Sequence, residues 1–237
     1  MFKIAIIGEF DPNFRPHVAT NEALEHLRPW LEVDFQAEWI STEHILQNEA
    51  AIKPYHGFWI APGSPYKNMQ AALWVIQYAR LHKVPVLGTC GGFQHMAIEF
   101  ARNVLAIKDA EHAEYDPYAS KLVVNPLSCD LKGEPLVVSI TDKASKVYET
   151  YQKSEVKEKY YCNFGLNPVY QKDFEANGFC IVGTDKHQEA RILELKAHPF
   201  FVATLFVPQD NSSKEVPHPL VKAFLLASAQ QVLLQKN

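Results

Sequence analysis

Val84-Pro85-Val86-Leu87-Gly88-Thr89-Cys90-Gly91-Gly92-Phe93-Gln94 reads as an apolar strand that breaks at Gly-x-Cys-x-Gly and turns directly into a helix. A nucleophile placed on such a sharp turn needs small neighbours, because bulky side chains at the flanking positions would clash across it. Gly88 and Gly92 meet that need. At a helix start the Cys90 thiol faces backbone N–H groups that lack helical partners and the positive end of the helix dipole, both of which favour the thiolate. The competing reading, a buried inert thiol, fits Cys129, Cys162 and Cys180, none of which stands in a comparable setting.

Upstream of the turn, short apolar runs at residues 2–7, 33–40, 57–61 and 84–88 alternate with helix candidates at 19–31, 42–48 and 69–82. This is the pattern of β-α units that build a parallel sheet. Within the last of these helices Ala72, Val75, Ile76 and Ala79 recur at helical spacing. The helix after Cys90 should run to about Asn103. From Lys121 the pattern shortens to strand-like pieces at 122–124, 136–140, 160–164, 179–183, 190–195 and 200–206, followed by a helix near 218–234. The fold class is therefore α/β, a doubly wound and mostly parallel central sheet flanked by helices, with a small antiparallel addition. Residues 208–217 read as a surface loop inside one domain spanning 1–237.

Composition narrows the function classes. The chain has 237 residues, 47% hydrophobic and 21% charged, with a formal charge of -4. That balance gives no electrostatic reason to expect nucleic acid or an anionic membrane as partner. No run of eighteen apolar residues occurs, and the N-terminal Met1–Gly8 stretch is too short for a signal sequence. A cytoplasmic protein with a small-molecule site is expected. The four cysteines lack metal-ligand spacing, and neither Gly-x-Gly-x-x-Gly nor a Walker-type run is present, so no metal and no nucleotide cofactor is indicated.

The residues around the elbow carry a resemblance that covers nearly the whole chain. After the elbow come Ala97-Ile98-Glu99-Phe100-Ala101-Arg102-Asn103-Val104-Leu105 and Ala113-Glu114-Tyr115-Asp116-Pro117, and later His198-Pro199-Phe200-Phe201-Val202-Ala203-Thr204. Together they resemble the class I glutamine amidotransferases, in particular the glutaminase domain of the CTP synthases, which have a flavodoxin-like fold. The resemblance implies that Cys90 attacks the amide carbon of a glutamine-like substrate to form a thioester. It implies that Gln94 and Glu114 contact substrate, Glu114 as partner for an ammonium. It also makes Pro62-Gly63-Ser64-Pro65-Tyr66 an oxyanion loop, in which Gly63 and Ser64 act with Gly91. Pro65 has no N–H to donate.

Two departures from the family stand out. Where the family reads Phe-His-Pro-Glu this chain reads Phe206-Val207-Pro208-Gln209, so Val207 and Gln209 replace the general base and its carboxylate partner. Loss of one member of such a unit typically costs ~10⁴-fold in rate. Where the family reads Glu-Arg-His-Arg-His-Arg-Tyr this chain has Glu158-Lys159-Tyr160-Tyr161-Cys162-Asn163-Phe164. Asn163 cannot form the charged two-pronged bond of the last arginine to a carboxylate. An amine-bearing amide then suits the pocket better than free glutamine.

Substitute bases are sought among the histidines. His112, two residues before Glu114, is the first candidate. His95 is weaker, since five helical positions from Cys90 place it about 140° round the helix. His17 reads as an exposed residue leading into a helix, His198 as one leading into a strand, and Tyr66 and Tyr161 as possible lining of the pocket. Two functions follow: a cysteine-dependent amidase or transferase, or a pseudo-amidotransferase that binds a small molecule without turnover. Neither a synthetase domain nor complete CTP synthesis is expected of this chain. Its expected partners are the small-molecule amide, a second copy as homodimer, or a separate synthetase.

Overall fold

The computed structural model describes residues 1–45, 48–127, 133 and 135–234. The first half is built from β1 (Phe2–Ile7), α1 (Arg15–Leu27), β2 (Phe35–Ile40), α2 (Glu49–Ile52), β3 (Gly57–Ile60), α3 (Met69–His82), β4 (Val86–Thr89) and α4 (Gly91–Asn103). There follow β5 (Ala110–His112), β6 (Lys121–Pro126), β7 (Pro135–Ile140), α5 (Lys146–Tyr151), β8 (Glu155–Lys159), β9 (Phe164–Leu166) and α6 (Gln171–Ala176). The chain continues through β10 (Phe179–Thr184), β11 (Ala190–Leu195), β12 (Phe201–Thr204) and α7 (Pro219–Leu234). Among the described residues the main sheet has nine strands in the order β2-β1-β3-β4-β12-β11-β10-β7-β8, and β5-β6-β9 form a second sheet.

The five strands from β2 to β12 run parallel, and β11, β10, β7 and β8 continue the sheet antiparallel. The α/β class is as expected, while the antiparallel part is larger than a small addition. Strands β1, β3, β4 and β12 are buried along almost their whole length, as strands covered by helices on both faces must be. Because the strand order reverses at β1, with β2 added on one side and β3 on the other, the carboxyl ends of the parallel strands open into a crevice where ligands bind in such sheets. Residues 61–63, Cys90 and 205–207 all lie at that end.

Several expected boundaries are corrected. Helix α1 starts at Arg15 rather than 19, because Pro16 costs nothing in a first turn, and it gives way at Arg28–Trp30 to a 3₁₀ turn containing Pro29. Residues 42–48 do not form one helix: Ser41 and Asn48 each accept a nearby backbone N–H, giving a 3₁₀ turn at Thr42–His44 and a separate start for α2. Residues 46 and 47 of that stretch, and Cys129, lie outside the described residues. The strand expected at 160–164 is absent. β8 ends at Lys159, and the chain then leaves the main sheet before Phe164 joins the second one. Residues 208–211 form a 3₁₀ turn with Pro208 and Gln209 buried, not an exposed loop.

Helices α3 and α4 are tied together by a buried ion pair. Arg80 grips Glu99 with Nε at 3.0 Å and Nη2 at 2.7 Å, and Asn103 donates to the same carboxylate. Glu99 is fully buried, so removing its cation leaves a buried charge uncompensated. We expect Arg80→Met to lower the urea-unfolding free energy by about 3–5 kcal/mol, and Arg80→Met with Glu99→Met to recover most of the loss.

Candidate active site

Cys90 is the residue between β4 and α4, with φ +53° and ψ -107°. A non-glycine residue in this conformation is strained by about 1–3 kcal/mol. Its N–H donates to Thr204 O at 2.9 Å, at the point where β4 and β12 end in register. The glycines around it are required by contact: a Cβ on Gly92 would lie 2.2 Å from Ile60 O, and one on Gly91 would lie 2.2 Å from Gly63 O. Helix α4 is thereby pressed against the loop after β3, and the sulfur is directed into a cavity.

That cavity, about 230 Å³, is lined by Phe14, Gly63, Ser64, Cys90, Gln94, Glu114, Tyr161, Cys162, Asn163 and Phe164. All four residues expected to contact substrate, Gln94, Glu114, Asn163 and Tyr161, are there, with the expected oxyanion residues Gly63 and Ser64. Its size suits a molecule on the scale of a single amino acid. A wider depression beside α6, lined by Thr141, Lys172, Glu175 and Thr184 among others, contains no cysteine, serine or histidine. Among the described residues no group of three or more His, Cys, Asp or Glu side chains is placed to hold a metal ion.

The Cys90 thiol is pulled below its ordinary pKa chiefly by a hydrogen bond from Cys162. Burial opposes this, N–H groups of Gly63 and Gly91 add to it, and the charge of Glu114 works against it. Cys162 is pushed well up, by its bond to Cys90 first and by burial second. Cys162 is buried, in keeping with its reading as a buried thiol, and it also lines the cavity beside Cys90. It sits in the segment of residues 158–164, for which the resemblance leads one to expect an arginine-rich run, and that expected departure is the available signal. Cys180 lies away from the cavity and is raised by burial.

The histidines are held in place. His112 donates from Nε2 to Gln94 Oε1 at 3.1 Å and accepts the Glu114 N–H on Nδ1 at 3.0 Å. Gln94 in turn donates to Phe164 O at 2.9 Å. Burial pushes His112 down to about 3. His95 donates from Nδ1 to Gly91 O at 2.7 Å and accepts on Nε2 from Tyr115 Oη at 2.8 Å. Tyr115 Oη itself accepts the Tyr66 N–H at 2.6 Å, so this chain of bonds fastens the loop after β3 to α4. Burial pushes His95 down to about 4. Neither ring presents a lone pair to Cys90. His17 is buried, contrary to the expectation of exposure; its Nδ1 accepts the Asp11 N–H and its Nε2 donates to Pro62 O at 2.8 Å. His198 leads into β12 and bonds to Ala79 O at 3.2 Å, far from the cavity.

Val207 is fully buried and offers no side-chain proton acceptor. Gln209, also buried, donates to Thr20 Oγ1 at 3.0 Å and to Thr89 Oγ1 at 3.4 Å. Its Oε1 has no partner. Asp210 carries no signal in the sequence, yet it accepts from Arg15 at 2.7 Å, Tyr161 Oη at 2.6 Å and Lys159 at 3.3 Å. It thereby fixes the Tyr161 side of the cavity to α1 and β8.

Because N–H and S–H donors stabilise the ionised sulfur, Cys90 should alkylate with iodoacetamide at a midpoint below that of an ordinary thiol, and Cys180 at one above it. Cys162→Ala removes the strongest donor, so we expect the Cys90 midpoint to rise; labelling followed by peptide mass mapping across a pH series measures both.

Comparisons with known proteins agree with this geometry. The family described as glutamine amidotransferase class-I matches residues 22–226. CTP synthase of Cyanothece sp. is 31% identical over 95% of this chain and 43% of its own length. CTP synthase of Bacillus subtilis is 29% identical over 96% of the chain and 44% of its own. The chain thus spans less than half the length of these curated relatives. In fold it is similar to the glutaminase domain of Trypanosoma brucei CTPS solved with bound acivicin, with a TM-score of 0.88 and 22% identity over 97% of this chain and 94% of that one. A glutamine amidotransferase from Thermotoga maritima superposes with a TM-score of 0.58 at 12% identity, covering 99% of this chain and 85% of that one. With its elbow, its cavity and these relatives, the chain belongs to the class-I glutamine amidotransferase family and is related to the glutaminase domain of CTP synthase.

Proposed function

We propose that the protein is a cysteine-dependent amidase or acyl transferase acting on an amide that bears an amine, through a thioester on Cys90. The observation that carries this reading is the composition of the cavity wall. Among the described residues it holds an acidified thiol and one carboxylate, Glu114, and no lysine or arginine. A site with a single anion favours a cationic ligand and gives a carboxylate no charged partner. Free glutamine carries both groups, so the charge balance selects against it.

In this reading Cys90 attacks as thiolate and the N–H groups of Gly63 and Gly91, which now point at the sulfur, stabilise the oxyanion that forms beside it. Gln94, held by His112 and Phe164 O, positions the amide. Val207 and Gln209 stand where relatives would keep the proton-transferring histidine and its partner. An acidified thiolate needs less assistance than a hydroxyl, so the exchange does not abolish acylation.

One observation favours a second reading, binding without turnover: His17, His95 and His112 each have both ring nitrogens engaged. Steady-state ammonia release from 4-aminobutyramide and from glutamine separates the two. We expect kcat/KM to favour 4-aminobutyramide and Cys90→Ala to abolish release. Glu114→Gln should lower it about 10- to 100-fold, the worth of one hydrogen-bonded charge. Asn163→Arg should shift preference toward glutamine. No release from either amide above the Cys90→Ala background would favour the binding protein.

A further inference from the structure

The proton that the reaction must move has few carriers in this cavity. Val207 has no atom to accept it, and the three nearby histidines spend both ring nitrogens on fixed partners. Tyr161 is committed to Asp210. Glu114 is exposed at the cavity wall, where water screens it. Ser64 also brings a hydroxyl to the cavity wall, but the side-chain proton bonded to the nucleophile is that of Cys162, which lines the same cavity.

Cys162 is also placed to let that proton go and take it back. Its Sγ lies 3.3 Å from Leu205 O, a second acceptor, so its hydrogen can turn between the carbonyl and the Cys90 sulfur. The residue is buried, at the end of the segment that leaves β8. The other groups acting on the two sulfurs are Glu114, Tyr66, Tyr160 and Arg191, of which only Arg191 is cationic.

We infer that Cys162 is the acid and base of the reaction, a thiol that takes over proton transfer from the missing imidazole. The inference rests on the thioester reading of Cys90. In acylation the Cys90 thiolate forms a bond to the amide carbon, the C–N bond breaks, and the leaving nitrogen takes the Cys162 proton, giving an acyl thioester, the free amine or ammonia, and a Cys162 thiolate. In deacylation water adds to the thioester carbon while the Cys162 thiolate takes its proton. The C–S bond then breaks, releasing the carboxylic acid and restoring the Cys90 thiolate and the Cys162 thiol. Burial, which persists while Cys90 is acylated, keeps the Cys162 thiolate basic in the second half of the cycle.

p-Nitrophenyl acetate separates the steps, since p-nitrophenolate departs without a proton whereas thioester hydrolysis needs a base. Wild type, Cys90→Ala, Cys162→Ala and Cys162→Ser are compared under reducing conditions, above the alkylation midpoint of Cys90 in each variant that retains it, with thermal melting as the folding control. We expect acetyl-Cys90 to hydrolyse ~10²-fold or more slowly in both Cys162 variants than in wild type, the usual worth of general base catalysis. Ammonia release from 4-aminobutyramide should fall by at least as much. Equal deacetylation rates in wild type and Cys162→Ala would overturn the role of Cys162. Absence of Cys90-dependent p-nitrophenolate release in wild type would instead overturn the thioester reading beneath it. Cys162→Ser distinguishes packing from chemistry: a hydroxyl keeps the shape but is a poorer acid, so recovery of the full rate by serine also contradicts proton transfer.

Discussion

The backbone at Cys90 is the constraint on which the site depends. A left-handed φ at a non-glycine residue persists only where the surroundings over-determine it. Here they do so through the Cys90 N–H bond to Thr204 O and through Gly91 and Gly92, which allow α4 to touch the β3 end of the sheet with no side chain between. The turn that results puts the sulfur at the start of a helix. It also leaves the N–H groups of Gly63 and Gly91 facing it.

Around this turn the polar side chains serve mainly as ties. His95, Tyr115 and the Tyr66 N–H link the loop after β3 to α4. His112, Gln94 and Phe164 O link α4 to the second sheet. Asp210 joins α1, Lys159 and Tyr161. Buried rings held between fixed donors and acceptors stay neutral, which is why burial drives His95 and His112 down rather than toward the physiological range. Ionisation of Cys90 therefore rests on N–H and S–H donors, with no imidazolium beside it.

The parallel half of the sheet is legible in the sequence because its strands are continuous apolar runs and its helices repeat at helical spacing. The elbow is legible because only glycine fits next to it. What is not legible depends on contacts distant in sequence. Tyr160, Tyr161 and Cys162 have the residue types of a strand, yet the chain leaves the sheet edge after Lys159 and places Tyr161 and Cys162 in the cavity wall. His17 is buried through its bond to Pro62 O, forty-five positions away, which no local pattern encodes. Cys162 carries no local signal because neither glycines nor a helix start flank it. Its effect comes from facing Cys90 across the cavity. The short helices α5 and α6 escape sequence reading for lack of length, since a six-residue helix completes fewer than two turns.

In the proposed reaction Cys90 forms a covalent acyl adduct with an amide in this cavity. Rapid acid quenching of the protein mixed with 4-aminobutyramide, followed by peptide mass mapping, tests it directly. The expected result is a 4-aminobutyryl thioester confined to the peptide containing Cys90, appearing within a turnover and absent from Cys90→Ala. An unmodified Cys90 while ammonia is being released, or an adduct on any other residue, would contradict it.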